Sequence, residues 1–308
     1  MPNRGTALLV AAIVGLGVAA GVDALRGDSD SASKSDLTTT GSGAQKLASR
    51  QITGVLHFTV RLRPGQCALR SLALPGLEAT SAFDVGSCRI ATSIGGRVAV
   101  GGPCPGGDIS VLGPSQPVRF RGCAPAWKPD GTLTFVRQNR VFEVENGCTR
   151  PVPSDCLRLT PVRSHPGEVI RELAWIDDER LAILVDGPGR IESVFVYEAG
   201  LRLAGPGLSF PGLSYLRSLG PGRAVVRSGQ PPDGGLLTID RRGRAGGFFR
   251  PALPTFLADG QALAASPGGA WVASTSGEAV HVYRLGDRRP LDPVRIDIDA
   301  VDLGWGAS

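Results

Sequence analysis

Residues 125–136 read PAWKPDGTLTFV and residues 140–144 read RVFEV, so a tryptophan is followed by a tight turn and two short apolar segments. In the turn, Pro129 fixes φ, Asp130 bonds to the local backbone and Gly131 accepts a positive φ. The alternation of apolar and polar residues on either side is typical of strands. The unit predicts a small antiparallel sheet.

The same unit recurs along the chain. Residues 173–185 (LAWIDDERLAILV) again place a tryptophan six residues before the first leucine of the next segment. Weaker copies give a set of equivalent positions at Val55, Val98, Leu133, Leu181, Ala224 and Trp271. Their spacings are 43, 35, 48, 43 and 47 residues, and each is about the length of one four-stranded propeller blade.

The two ends of the chain predict how the repeat closes. Residues 301–305 (VDLGW) are similar to the segment that carries Trp127, whereas the first copy begins at its second strand. A C-terminal strand that completes the first blade would close the ring and remove both sheet edges. We therefore predict an all-β fold, a β-propeller over residues 51–308, with six blades as the natural count. Five or seven blades stay open because two copies are faint, and a β-sandwich is the alternative architecture.

The segment WKPDG, from Trp127 to Gly131, resembles the Pro-Asp-Gly blades of TolB-type β-propellers. The period extends over most of the chain, but the motif is matched closely at this one place, since Trp175 is followed by Asp177 and Asp178 instead of Pro-Asp. The resemblance implies a rigid platform for protein partners in the bacterial envelope.

The N-terminus predicts the compartment. Residues 6–22 (TALLVAAIVGLGVAAGV) are seventeen consecutive uncharged residues, at the short end of what spans a bilayer. Arg4 precedes them and should stay inside. We predict a cytoplasmic segment at residues 1–5, a single transmembrane helix at 6–25, a flexible linker at 26–50, and a body outside the cytoplasm, held at the plasma membrane. A cleavable signal peptide at 6–25, which would give a secreted protein, is the alternative.

The chain has six cysteines, and in an exported protein an even number predicts disulfides. Cys148 and Cys156 bracket a loop between two predicted adjacent strands and are expected to pair. Sequential pairing gives Cys67–Cys88 and Cys104–Cys123, which would link neighbouring blades. A zinc site would need closer cysteine spacing than the sequence offers.

No recognised motif for catalysis or for cofactor binding occurs: there is no nucleophile elbow, and neither a phosphate-binding loop nor a dinucleotide-binding glycine pattern follows a predicted strand. The three histidines, His57, His165 and His281, are expected to be packing or surface residues. We therefore predict no enzyme activity, no catalytic residue, no cofactor and no metal.

Each of two groups of acidic residues has a solvated interpretation and an alternative, functional one. Residues 177–179 (DDE) lie where a blade turn belongs and are expected to be a solvated turn, with calcium binding as the alternative. Asp297, Asp299 and Asp302 alternate with apolar residues, as on a half-buried strand. If that strand lines the channel, these carboxylates would bind a cation or a basic partner.

Arginines are concentrated between residues 201 and 250, and a solvated, turn-rich surface is the simplest interpretation. The functional alternative is a patch that faces anionic lipid headgroups or wall polymers, formed by Arg217, Arg223, Arg227, Arg241, Arg242 and Arg244. The net charge of +5 is modest for 308 residues, so we predict no nucleic-acid partner.

The predicted function is a non-enzymatic, extracytoplasmic binding platform, tethered to the membrane, for a protein partner or a cell-wall polymer. One alternative is a propeller glycan hydrolase or lyase, which would place paired carboxylates on the innermost strands. The segments around Trp127, Trp175 and Tyr215 are mostly apolar, which favours the non-enzymatic prediction. A second alternative is the accessory subunit of a sensor.

Overall fold

The computed structural model describes residues 41–102, 104–112, 117–145, 156–198, 200–202, 208–220, 222–228, 235–246, 262–276, 278–284 and 294–307. The body is a six-bladed β-propeller, as the sequence predicts, and the β-sandwich alternative is excluded. Each of the six antiparallel sheets has four strands in the order of the sequence, except that one sheet begins with the last strand of the chain, and another sheet has one additional short strand.

The strands of each blade are lettered A to D from the innermost strand outward. Blade 1 consists of β25 (Asp302–Gly306), β1 (Gly54–Arg63), β2 (Gln66–Leu74) and β3 (Glu78–Val85). Blade 2 consists of β4 (Arg89–Thr92), β5 (Val98–Gly101), β6 (Asp108–Leu112) and β7 (Val118–Arg121). Blade 3 consists of β8 (Cys123–Trp127), β9 (Leu133–Arg137), β10 (Arg140–Val144) and β11 (Leu157–Arg163).

The second half of the ring follows the same order. Blade 4 consists of β12 (Val169–Trp175), β13 (Arg180–Asp186), β14 (Glu192–Glu198) and β15 (Leu201–Arg202), and β16 (Leu208–Phe210) also pairs with β14. Blade 5 consists of β17 (Ser214–Ser218), β18 (Arg223–Ser228), β19 (Gly235–Asp240) and β20 (Ala245–Gly246). Blade 6 consists of β21 (Leu263–Ala265), β22 (Trp271–Ser276), β23 (Ala279–Arg284) and β24 (Val294–Asp297).

The ring closes through the C-terminal strand. β25 pairs with β1 from Val55 opposite Gly306 to Thr59 opposite Asp302, so the last strand of the chain is the innermost strand of the first blade. The prediction that a C-terminal strand completes the N-terminal blade is confirmed. The six positions taken as equivalent in the sequence all lie at the start of a B strand.

The B strands gave the clearest repeat because both of their faces are buried. In β13 the five central residues are buried without interruption, and in β9 the first four are. One face of each sheet packs on the preceding blade and the other on the following blade, so Ile183 belongs to the core between blades 3 and 4, whereas Leu184 belongs to the core between blades 4 and 5. A strand buried on both faces reads as a continuous apolar run.

The two ends of the channel differ in their turns. At one end lie the A–B turns, for example residues 93–97, 128–132, 176–180 and 266–271, each closed by backbone hydrogen bonds. This end is the A–B face. At the other end lie the B–C turns, such as residues 64–65 and 138–139, and this end is the B–C face.

Two disulfides link neighbouring blades, as predicted. Cys67 of β2 is bonded to Cys88, which precedes β4, and Cys104 is bonded to Cys123 of β8. These bridges join blade 1 to blade 2 and blade 2 to blade 3. Cys156 is disulfide-bonded as well, but Cys148 lies outside the described residues, so the Cys148–Cys156 pair stays a prediction.

A short helix precedes the propeller. Helix α1 (Gly41–Ser49) buries Leu47 fully, and Ile52 just after it is buried too. The last part of the predicted linker at residues 26–50 is thus a helix whose Leu47 is buried, and the flexibility of its earlier part stays a prediction. Residues 1–40 lie outside the described residues, and in the part that is described no helix is long and apolar enough to cross a bilayer. The transmembrane helix at 6–25 therefore stays a prediction.

Candidate functional site

The innermost strands of all six blades line a pocket that opens on the A–B face. Its volume is about 350 Å³. Apolar residues form most of the wall, among them Ile90, Leu173, Leu263 and Leu303, and Arg217 is the charged residue at its inner end. The opening is bordered by the A–B turns, with Lys128, Asp177 and Asp178 from blades 3 and 4 and Arg241 from blade 5.

Charged side chains meet at the inner end of this pocket, and we call Arg89, Glu172, Tyr215, Arg217 and Asp302 the channel hub. The Arg217 guanidinium lies 3.1 Å from a Glu172 carboxylate oxygen through Nη1 and 3.1 Å from a carboxylate oxygen of Asp302 through Nη2. Arg89 donates a second ion-paired hydrogen bond to Glu172, and Tyr215 donates its hydroxyl hydrogen to Asp302.

The channel hub also accepts hydrogen bonds from backbone N–H groups on the inner edges of the innermost strands. An A strand pairs on one side alone, so its other edge turns backbone N–H groups towards the channel. Glu172 accepts the N–H of Leu216 at 2.8 Å, and Asp302 accepts the N–H of Ile90 at 2.9 Å. The Tyr215 hydroxyl accepts the N–H of Leu263 at 2.9 Å. Through these bonds the channel hub joins blades 1, 2, 4, 5 and 6.

A backbone irregularity places Tyr215 in the channel. The register of β17 against β18 shifts between Ser214 and Arg217, and Tyr215 itself has φ of 60°. Such a bulge redirects a side chain, and a positive φ at an aromatic residue persists only where the surroundings hold it. Burial raises the pKa of the Tyr215 phenol above its ordinary value, so this residue stays a neutral hydrogen-bond donor.

Arginines outnumber carboxylates around the channel hub. Burial alone would lower the pKa of Arg217, but the negative charges of Asp302 and Glu172 outweigh it, and the pKa is raised. The guanidinium carbon of Arg227, in β18, lies 5.8 Å from the centre of the Tyr215 ring, and its Nε and Nη2 are buried without a hydrogen-bond partner among the described residues. Burial lowers the pKa of Arg227.

Three tryptophans hold the pocket wall in place. The indole N–H of Trp127 donates to the carbonyl of Ala91 at 3.1 Å, across the boundary between blades 3 and 2. Trp175 donates to Thr134 at 2.9 Å and Trp305 donates to the carbonyl of Thr53 at 3.2 Å. Because each indole is engaged within the propeller, the tryptophans brace the wall and are not free to swing into the pocket.

A second cavity of about 1090 Å³ lies between blades 3 and 4, beside the B–C turn of blade 3. We call it the inter-blade cleft. Its walls are the β9–β10 turn, the end of β11 with the loop that follows, and Arg202 with Tyr197 of blade 4. The side chains that line it and carry charge or a titratable ring are Arg140, Arg163, His165, Glu168, Tyr197 and Arg202.

The predicted arginine patch divides between two places. Arg223, Arg241, Arg242 and Arg244 are exposed and lie at the A–B face of blade 5, where β18 begins and β19 ends. Arg217 and Arg227 instead lie inside, beside Tyr215, so the structure does not bring these two to the surface. Binding of anionic headgroups or wall polymers by the four exposed arginines stays a prediction.

The acidic residues that the sequence groups together also lie in different places in the structure. Asp177 is held in its turn by Arg180 and Arg241, whereas Asp178 is exposed at the pocket opening. Asp297 ends β24 and Asp299 is exposed beyond it. Asp302 is on the channel-lining strand, so one of the three predicted carboxylates reaches the channel.

The histidines lie apart from one another. His57 is buried in β1, where Nδ1 lies 2.7 Å from the Ser71 hydroxyl, and burial lowers the pKa of His57 to about 4. His165 lines the inter-blade cleft, and His281 lies in β23, where burial lowers its pKa. Among the described residues no three potential metal ligands come together.

Sequence reasoning missed Glu172, Arg89 and the role of Tyr215. The innermost strands were expected to be mostly apolar, and they are, but two of them carry one buried carboxylate each, at Glu172 and Asp302. The signal in the sequence is a single charged residue inside an otherwise buried strand, as in VIRELAW, residues 169–175.

No protein-family model and no curated protein matches this chain. Among solved structures, TolB from Acinetobacter baumannii aligns with a TM-score of 0.53 and 13% identity over 82% of this chain and 66% of that chain. A protein from Bacteroides uniformis, provisionally assigned as a 6-phosphogluconolactonase, aligns with a TM-score of 0.50 and 13% identity over 82% of this chain and 85% of that chain. The chain thus spans slightly less than two thirds of that TolB structure. At these identities the likeness shows the β-propeller fold alone.

Proposed function

We propose that this chain is a non-enzymatic, extracytoplasmic binding platform whose partner inserts a group into the pocket on the A–B face. The observation that carries the proposal is a pocket with an apolar wall and polar residues at its opening. A pocket of about 350 Å³ accommodates a side chain, a short chain segment or a sugar unit. The partner is a protein of the envelope or a polymer of the cell wall.

The state of the two channel carboxylates supports binding over hydrolysis. Glu172 accepts hydrogen bonds from two arginines and one backbone N–H, and Asp302 accepts them from Arg217, Tyr215 and two backbone N–H groups. A glycosidase needs one carboxyl group that delivers a proton and another that attacks or activates water. Carboxylates with this many hydrogen-bond donors around them are held in one position, which suits a structural role.

The proposed location rests on two features. The disulfides Cys67–Cys88 and Cys104–Cys123 fit an oxidising compartment, since cytosolic proteins rarely keep such bonds. The apolar segment at residues 6–25 would tether the body to the plasma membrane, or direct its secretion if it is cleaved.

The test is crosslinking of the full-length chain in its own membranes, followed by affinity capture and mass spectrometry of the bound proteins and glycans. The pocket is blocked by Ser218→Trp, because Ser218 is exposed at the pocket opening. Glu179→Trp is the matched control, an exposed turn residue on the same face that does not line the pocket.

A defined envelope protein or wall fragment, captured by the wild type and by Glu179→Trp but not by Ser218→Trp, supports the platform and names its partner. Equal capture by all three chains excludes the pocket as the binding surface. Cleavage of a wall glycan by the purified chain, abolished by Glu172→Gln, replaces the platform with a propeller hydrolase or lyase.

A further inference from the structure

The inter-blade cleft contains arginines that the fold brings together without a balancing set of acids in the part of the chain that the structure describes. Arg140 in β10 is directly opposite Arg137 in β9 on one side and Arg163 in β11 on the other. Like charges directly opposite one another across strands are destabilising. None of these three arginines forms an ion pair with a described acid, and all three are exposed.

A fourth arginine enters the cleft from blade 4. Arg202 lies over the ring of Phe195 and reaches Glu168 at 3.2 Å through Nη2. Its Nε is buried and has no hydrogen-bond partner among the described residues. A buried donor without an acceptor carries a desolvation penalty, and an anionic ligand beside the guanidinium would remove it.

The single carboxylate among the described residues that line the cleft is already occupied. Glu168 receives Arg202 on one oxygen and the backbone N–H of His165, at 2.8 Å, on the other. It cannot also neutralise Arg140 and Arg163. Four arginines therefore face one glutamate in and beside this cleft, which leaves a local excess of positive charge.

Asn139 connects two walls of the cleft by hydrogen bonds. Asn139 lies in the β9–β10 turn with φ of 59°, and its Nδ2 donates to Ser164 at 2.6 Å and to the carbonyl of Glu168 at 2.7 Å. Its Oδ1 accepts the N–H of Ile170 at 2.7 Å. These bonds tie the turn of blade 3 to the loop that leads into blade 4, so the arginines are presented on a preorganised frame.

The uncharged residues that line the cleft indicate the chemistry of the molecule that would carry an anionic group into it. Amide and hydroxyl side chains, which both donate and accept hydrogen bonds, alternate with prolines and one exposed leucine along the cleft. They are Gln138, Asn139, Leu159, Thr160, Pro161, Ser164 and Pro166. An aromatic anchor of a protein partner would need a deep, closed apolar pocket, whereas this cleft is open and has amide, hydroxyl and charged side chains in its lining.

We infer that the inter-blade cleft binds an acidic, hydroxyl-rich polymer of the cell wall through its carboxylate or phosphate groups. Arginine suits this role because its planar guanidinium pairs with two oxygens of either group. The inference relies on the proposed extracytoplasmic location for the source of the polymer. It does not rely on the A–B pocket, which shares no lining residue with the cleft.

The experiment titrates the full-length chain with polygalacturonate, which carries carboxylates, and with poly(glycerol phosphate), which carries phosphates. Neutral dextran and poly-L-glutamate serve as comparison polymers. The cleft variant is Arg140→Gln combined with Arg163→Gln. The matched control is Arg119→Gln combined with Arg158→Gln, which removes the same charge from two exposed outermost-strand arginines that do not line the cleft.

We expect one of the two acidic polymers to bind, about 100-fold more weakly to the cleft variant, because each charged hydrogen bond contributes about tenfold. The control should stay within roughly threefold, and the polymer that binds identifies the acidic group. Removing like charges that face each other should leave the urea midpoint of the cleft variant unchanged or higher.

The inference is overturned if neither acidic polymer binds, if the control loses as much affinity as the cleft variant, or if poly-L-glutamate binds as tightly as the better acidic polymer. The last result would make an acidic protein the ligand. Ser218→Trp separates this site from the proposed function, since blocking the A–B pocket should not change polymer binding in the cleft.

Discussion

Replacing Asp302 by asparagine tests whether the channel hub holds the ring together. The Asp302 side chain is 4% exposed and accepts hydrogen bonds from Arg217, Tyr215 and the N–H of Ile90. Asparagine has nearly the same shape but one acceptor oxygen, so its amide NH₂ must face a donor in either orientation. Arg217 would also lose one of its two carboxylate partners.

The expected loss is about 3–5 kcal/mol in the free energy of unfolding, the range for a buried ion pair that loses one partner. A domain of ordinary stability has about 5–15 kcal/mol in total. With an m-value on the order of 3 kcal/mol/M, the urea midpoint should fall by roughly 1–1.7 M at unchanged m. Tryptophan fluorescence and far-UV circular dichroism should report the same transition.

Asp299→Asn is the matched control, because Asp299 lies three residues earlier, is exposed, and undergoes the same chemical change. It should shift stability by less than about 0.5 kcal/mol. A double-mutant cycle with Arg217→Gln should give a coupling energy of about 0.5–3 kcal/mol. If Asp302→Asn is as mild as Asp299→Asn, the carboxylate does not stabilise the ring and the structural interpretation of the channel hub is wrong.

Two further predictions concern stability. Because burial holds the pKa of His57 at about 4 in the folded chain, against 6.5 when unfolded, the unfolded chain binds more protons at acid pH. Above pH 6.5, His57 should therefore not affect the free energy of unfolding measured in urea titrations. Between pH 6.5 and pH 4 that free energy should fall by about 3 kcal/mol. His57→Gln should make the fall shallower, and an unchanged pH dependence in this variant would contradict the assignment. Replacing both Cys67 and Cys88 by alanine opens a loop whose ends are 21 residues apart. Under oxidising conditions this should lower the free energy of unfolding by about 3 kcal/mol. Once dithiothreitol has reduced both chains, the variant should not differ from the wild type.

The blades were predictable because their signal is local. A tight turn at Pro129 to Gly131 and a doubly buried B strand both follow from neighbours in sequence, and the recurrence of that pair gave the period. The ring closure was predictable for the same reason, since residues 301–305 repeat the pattern of an A strand.

The channel hub was not predictable from local pattern. Glu172 and Asp302 are 130 residues apart, and they approach one another through Arg217, on the innermost strand of a third blade. In the sequence, residues 297–302 also resembled a single half-buried strand with its acidic face exposed to solvent. In the structure Asp297 ends the outermost strand of blade 6 and Asp302 begins the innermost strand of blade 1, so the chain changes blade between them. The inter-blade cleft was hidden in the same way, because the facing of Arg140 and Arg163 follows from strand register.

The strand that closes the ring therefore also completes the pocket. β25 supplies both the strand that completes blade 1 and the carboxylate that completes the channel hub, so a propeller without β25 in place has neither a closed ring nor an inner end to its pocket. A ligand that enters the A–B pocket binds the closed form preferentially and must stabilise it by mass action. Binding there should raise the free energy of unfolding of the wild type, and it should raise it less in Asp302→Asn, where the inner end of the pocket is weakened.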